Sequence, residues 1–268
     1  MDIGTGIALL ASAPAAKELL VKLLGPSAEY LGEGVKTWTE KRSENVKRIF
    51  QIGVDRLGEK IEQPGSIPPK ILRGIVNEGS FCEDQLTAEY FGGILAASRS
   101  GINRDDRGVT FISLLSRLST YQIRAHYVFY QIVKMVFDGE QLHFTIDKES
   151  TKAQTYIPFP VMVNGLGVST DEEANFGGIF DHIMFGLAKE ELIGPDLAYG
   201  SVDTIRTLFR AAPSEGVIIK PSALGVELFL WGHGRSDLKM NEFLNIKNRF
   251  DVSQEVSIAA GSMRTKAQ

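Results

Sequence analysis

Four histidines, one cysteine and a short run of carboxylates are the residues of this chain best equipped for chemistry, and their spacing sets what they could do. His126, His143, His182 and His233 each lack a second histidine or cysteine at i+3 or i+4, so none forms a zinc-type ligand pair on a helix face. Asp181 and His182 are adjacent, and neighbouring residues on a helix point apart. Cys82 falls where a helix is expected to begin, a position that favours a thiolate. Its other reading is a small, partly buried side chain. Asp171-Glu172-Glu173 could hold a divalent ion or simply cap a helix N-terminus. Gly165-x-Gly167 has no third glycine at dinucleotide spacing and reads as part of a connector. The chain contains no phosphate-cradling Gly-x-x-x-x-Gly-Lys loop and no Gly-x-Ser-x-Gly elbow. The expectation is therefore a protein with no catalytic residues, no metal and no cofactor.

The totals narrow the class further. A chain of 268 residues, 43% hydrophobic, can bury a sizeable core in one or two domains. Its formal charge of −4 makes no demand for nucleic acid or an anionic membrane. A single cysteine excludes an internal disulfide framework and suits a reducing cytoplasm. Ile3 to Ala16 is uncharged, but only Asp2 precedes it, whereas a secretory leader begins with positive charge. The run is also shorter than the roughly 20 apolar residues of a membrane span. The reading is a cytoplasmic protein, with peripheral contact to the inner membrane through Ile7, Leu9 and Leu10 left open.

Helical periodicity dominates the elements that must position these residues. An apolar helical segment is expected over 1–34 and a helical bundle over 35–137. Residues 138–178 read as a β-containing connector, and 179–268 as a smaller α+β, winged-helix-like part closed by a helix near 237–249. The fold class is thus mainly α. At the centre of the bundle stands a corner. Pro68 and Pro69 stop what precedes them, and Pro69 can open a helix at no cost because its missing N–H has no partner there anyway. Gly79 ends that helix, and Ser80 with Glu83 has capping-box spacing for a second one over 81–98. Gly92-Gly93 inside it implies that another backbone packs closely, or a local kink. Pro68, Pro69, Ser80, Glu83, Phe91 and Leu95 form the expected structural hub. Ser119 with Gln122 caps a strong helix to about Phe137, and Leu142–Ile146 alternates like a strand.

The corner resembles the abortive-infection-alpha family of bacterial phage-defence proteins. The matching residues are Ile67-Pro68-Pro69-Lys70-Ile71-Leu72, Asn77 to Asp84, Phe91 with Ile94-Leu95-Ala96-Ala97, Phe111 to Ser119, and Ile218 to Gly225 after Leu192-Ile193. Cys82 and Phe91 depart from the family pattern, which has a more acidic run after the serine and a tryptophan near Phe91. The resemblance implies a role in sacrificing or arresting an infected cell and carries no catalytic residues across. The expected partners are another protein or further copies of the chain. A winged-helix regulator of nucleic acid is the competing reading, weakened because Arg206 and Arg210 are the only cations on the helix expected over 203–212 and the helix expected over 221–232 has none.

Overall fold

The computed structural model describes residues 40–102, 104–246 and 261–265. The chain is mainly helical, with a small antiparallel sheet in its C-terminal part. It divides into two compact units. One contains the described residues up to Arg117 together with Leu230–Asp237. The other contains Leu118–Phe229 and the described residues from Leu238 onward. These units do not follow the boundaries expected at 137 and 178. The expected segment over 1–34 lies outside the described residues.

In the first unit, α1 (Glu40–Leu57) leads through a 3-10 turn to α2 (Pro69–Gly74), which runs on as a π-helical turn over Ile75–Gly79. Pro69 occupies the first helical position, after Pro68 in an extended conformation. The next helix, α3 (Gln85–Ala97), is buried on every side from Leu86 to Ala97, and α4 (Gly108–Leu115) follows. A helix buried all round belongs at the centre of its unit. Its one charge, Glu89, is buried and paired with Arg56 Nη2 at 2.8 Å, and glycines let neighbours reach the helix. A Cβ on Gly92 would fall 2.4 Å from the Ile52 side chain and 3.0 Å from the Ile49 carbonyl on α1. One on Gly93 would fall 1.7 Å from the Gly232 carbonyl oxygen. Of the two readings of this glycine pair, close backbone approach is the one observed.

The cap of α3 differs from expectation. Its N-cap is Asp84, whose side chain accepts from the Thr87 N–H at 2.8 Å. Ser80 is engaged elsewhere: its Oγ accepts from Arg42 Nε and Nη2 at 3.1 and 2.6 Å and donates to the Asn77 carbonyl at 3.1 Å. Glu83 is exposed and precedes the Asp84 N-cap, so it lies outside α3 and not at its third position.

The second unit is built on α5 (Thr120–Val136), started by the Ser119–Gln122 capping box. After α6 (Asp147–Lys152) come β1 (Thr155–Pro158), α7 (Phe159–Leu166), α8 (Thr170–Glu173) and α9 (Phe176–Lys189). The remaining elements are β2 (Ala198–Gly200), α10 (Val202–Arg206), β3 (Gly216–Ile219), α11 (Ala223–Gly232), a 3-10 turn over Met240–Asn245 and β4 (Met263–Arg264). Helix α11 gives Leu230–Gly232 to the first unit and its earlier residues to the second. The sheet order is β2-β3-β1-β4 with antiparallel pairing, Tyr156 lying opposite Ile218 and Tyr199 opposite Val217.

Three expectations need correction here. Leu142–Ile146 is not a strand; the strand of the expected 138–178 β-containing connector is β1, at 155–158. Val202–Arg206 is far shorter than the expected 203–212 helix. The described part of the expected 237–249 helix contains only the 3-10 turn.

Candidate interaction surface

Cys82, His126 and the 171–173 carboxylates have structural roles, while His143 is exposed and His182 bonds to the Ser119 hydroxyl at 3.0 Å. Cys82 is buried before α3, not on its first turn; burial pushes its thiol up to about 12, and Sγ donates to the Asp84 carbonyl at 3.2 Å. It is a protonated core side chain at neutral pH, the reverse of an activated nucleophile. His126 is fully buried. Burial draws its pKa down to about 3, only partly opposed by the bond from Nε2–H to the Gly225 carbonyl at 3.0 Å. Beside it, Tyr130 Oη donates to the Leu192 carbonyl at 2.6 Å and accepts from the Ser222 N–H at 3.0 Å. A Cβ on Gly225 would collide with that hydroxyl.

The carboxylate run also has a local role. Glu172 accepts from the Ser169 N–H at 2.7 Å and from the Tyr121 hydroxyl, so Asp171-Glu172-Glu173 is the capped start of α8. Among the described residues no cluster of three or more His, Cys, Asp or Glu could hold a metal ion. Gly167 is the left-handed C-cap of α7, which accounts for one glycine of Gly165-x-Gly167. Gly165 takes close packing from Val128.

Within the expected hub, Phe91 and Leu95 lie in the core of the first unit and Ser80 is buried. Pro68 is half-buried, while Pro69 and Glu83 are exposed. The polar contacts at this corner are structural ones that converge on Ser80, whose hydroxyl takes Arg42 and whose carbonyl accepts from Asn45 Nδ2 at 3.1 Å. Ile7, Leu9 and Leu10 lie outside the described residues.

What the residue-by-residue reading missed is a strip of aromatic side chains in the second unit. Helix α9 buries Phe180, Ile183, Met184 and Leu187. Its opposite stripe, at helical spacing, is Gly177, Gly178, Asp181, Phe185 and Lys189, all exposed. Packing against α5 depends on Gly186, where a Cβ would strike the Gln122 amide that donates to the His182 carbonyl at 3.0 Å. With α9 fixed, five rings form a chain. Phe159 and Phe176 each lie against Phe180, at 5.2 and 5.6 Å between centroids. Phe180 meets Tyr199 at 5.3 Å, and Tyr199 meets Phe185 edge-on at 6.4 Å.

These are ordinary aromatic pairing distances, but the chain runs from a buried ring to open solvent. Phe180 is 2% exposed, Phe159, Phe176 and Tyr199 are half-buried, and Phe185 is 64% exposed. No Cβ at Gly177 or Gly178 would meet anything within 4 Å, so the stripe stays low on that side of Phe185. Tyr199 donates to Asp181 Oδ1 at 2.7 Å; burial and that carboxylate push the phenol up to about 12. The strip is therefore rigid at its base and apolar at its tip, with a carboxylate fixed beside it.

The surrounding segment is strongly acidic. Between Ser169 and Ile205, eight carboxylates stand against one lysine, Lys189, so this stretch is more negative than the whole chain at −4. Comparison of the chain with models of known families, with curated proteins and with solved structures finds no match. Among the described residues no helix is long and apolar enough to cross a membrane.

Proposed function

We propose that this chain is a non-enzymatic protein of bacterial anti-phage defence, cytoplasmic, acting through contact with another protein. The defence role rests on the resemblance of the corner at Ile67–Asp84 and of its companion segments to the abortive-infection-alpha family. The mode of action rests on one observation, the aromatic strip ending in the exposed Phe185. Large aromatic side chains set in a rigid patch are the residues that carry binding energy at protein interfaces. The buried thiol of Cys82 and the neutral, desolvated imidazole of His126 support the same reading, since neither is poised for bond-making.

The nucleic-acid alternative has weaker support. Helix α10 spans five residues, little more than one turn, and Val226, Leu228 and Phe229 of α11 are wholly buried. The acidic 169–205 segment would repel a phosphate backbone. The membrane variant depends on Ile7, Leu9 and Leu10, and deletion of residues 1–26 tests it: unchanged protection removes it.

The test of the main reading is a phage challenge of cells carrying the wild-type chain or Phe185→Ser, at matched expression. A folded Phe185→Ser chain, checked by circular dichroism, is expected to lose at least about tenfold in protection, the loss expected from truncating an interface anchor. Full protection by the folded variant would overturn the proposal.

A further inference from the structure

We infer that the partner seated on the Phe185 strip is a cationic amphipathic helix, an inference that rests on the contact function proposed above. From Gly177 to Phe185 the exposed stripe of α9 runs for about 12 Å at 1.5 Å per residue. That length matches two turns of a partner helix reading i, i+4 and i+7 positions. At one end the paired glycines lower the surface to backbone level, and at the other Phe185 stands proud with Tyr199 beside it. A helix laid along this track would place an apolar side chain over the glycines and pack against the Phe185 ring.

Charge decides the kind of helix. Asp181 sits on the stripe one turn before Phe185, its position fixed by the Tyr199 hydroxyl. Glu172 and Glu173 lie on α8, just before α9, and Glu190 and Glu191 follow its end. Lys189 is the one cation of this segment. Lys189 lies 4.0 Å from Glu190, so the segment stays negative on balance. A segment of this sign attracts lysine and arginine and repels anionic lipid, nucleic acid and acidic peptides. Lysine and arginine also suit the apolar tip, because their stems cover rings while their charged ends reach carboxylates. An arginine could in addition stack on the exposed face of Phe185.

The experiment uses the full chain and three probes: a synthetic amphipathic helix of leucine and lysine, the same peptide with glutamate for lysine, and vesicles containing phosphatidylglycerol. Binding is read by fluorescence anisotropy at about 50 and about 300 mM salt, with thermal melts to confirm that each variant is folded. Saturable binding of the lysine peptide is expected, weakened about fivefold or more at high salt. It should fall about tenfold in Phe185→Ser and severalfold in Asp181→Asn. The surface position of Asp181 makes the second variant safe for folding even if the first is not. No binding is expected for the glutamate peptide or the vesicles.

Equal binding of both peptides, binding unchanged in the two variants, or vesicle binding abolished by Phe185→Ser would overturn the inference. Lost protection by Phe185→Ser with no lysine-peptide binding would sink this partner assignment and leave the contact function standing. Full protection by that variant, with peptide binding intact in the wild type, would sink the contact function instead.

Discussion

Replacing Gly93 by alanine tests how the first unit is held together. In an isolated helix the change would help, because glycine in a helix interior costs about 1 kcal/mol relative to alanine. Here the added methyl would sit 1.7 Å from the Gly232 carbonyl oxygen, and that oxygen would have to retreat to at least 3.0 Å. The obstacle is main chain, so no change of rotamer relieves it. Gly232 has little room to give, since a Cβ there would lie 2.5 Å from the Tyr90 ring. Overpacking a core typically costs about 1–3 kcal/mol, and a backbone obstruction belongs at the upper end. Set against the propensity gain, the net loss is about 2 kcal/mol.

Urea unfolding, followed by circular dichroism and tryptophan emission, is the assay; Trp231 lies in the same unit, stacked 4.7 Å from Phe111. With a slope near 2 kcal/mol per molar urea, the midpoint should fall by about 1 M. Gly178→Ala is the control. It lies on an open helix face with nothing within 4 Å of the new methyl, so its midpoint should hold or rise slightly. If Gly93→Ala is as stable as that control, α3 does not meet the Gly232 backbone as described and the packing argument fails.

Two further outcomes follow from the buried titratable groups. His126 is held down to about 3 in the folded chain, against about 6.5 when unfolded, so the unfolded state binds the extra proton first. Its contribution to stability is complete above pH 6.5 and is lost at about 1.4 kcal/mol per pH unit as the pH falls toward 3. The urea midpoint of the wild type should therefore drop more steeply over this range than that of His126→Gln; parallel curves would contradict the desolvated imidazole. Cys82, pushed up to about 12 by burial, should resist Ellman's reagent at pH 8 in the folded chain and react fully in guanidinium. Rapid labelling of the native protein would show the thiol to be accessible.

How far the sequence could be read depended on how local the deciding interaction is. Pro69 at the first helical position and the Ser119–Gln122 box are legible because a residue and its backbone neighbours within three positions settle them. Ser80 and Glu83 have the same spacing, but no helix starts at Ser80. Arg42, 38 residues away, takes the Ser80 hydroxyl, and Asp84 supplies the carboxylate instead. Gly92-Gly93 announces a close approach without naming the backbone that makes it; the partner of Gly93 is Gly232. The alternation is real in burial from Leu142 to Thr145, since Leu142 and Phe144 are buried while His143 and Thr145 are exposed, but it breaks at the exposed Ile146. Alternation reports which side of a segment faces a core, whereas a strand also needs a paired neighbour. The strand that has one, Thr155–Pro158, is buried at three successive positions and shows no alternation to find.

The aromatic strip was illegible for the same reason carried further. Its five rings come from α7, α9 and β2, and each alone reads as core, which for Phe180 is true. One signal was available. Phe185 falls off the Phe180, Ile183, Met184, Leu187 face and onto the stripe of Gly177, Asp181 and Lys189, where a helix packed only against its own core would carry a polar side chain. Under the contact function proposed above, a large ring on the polar stripe of a helix, in a segment of eight carboxylates and a single lysine, would serve binding and not folding. Phe185 is 64% exposed while Phe180 is in the core, which is why Phe185→Ser can separate function from stability where a change at Phe180 could not.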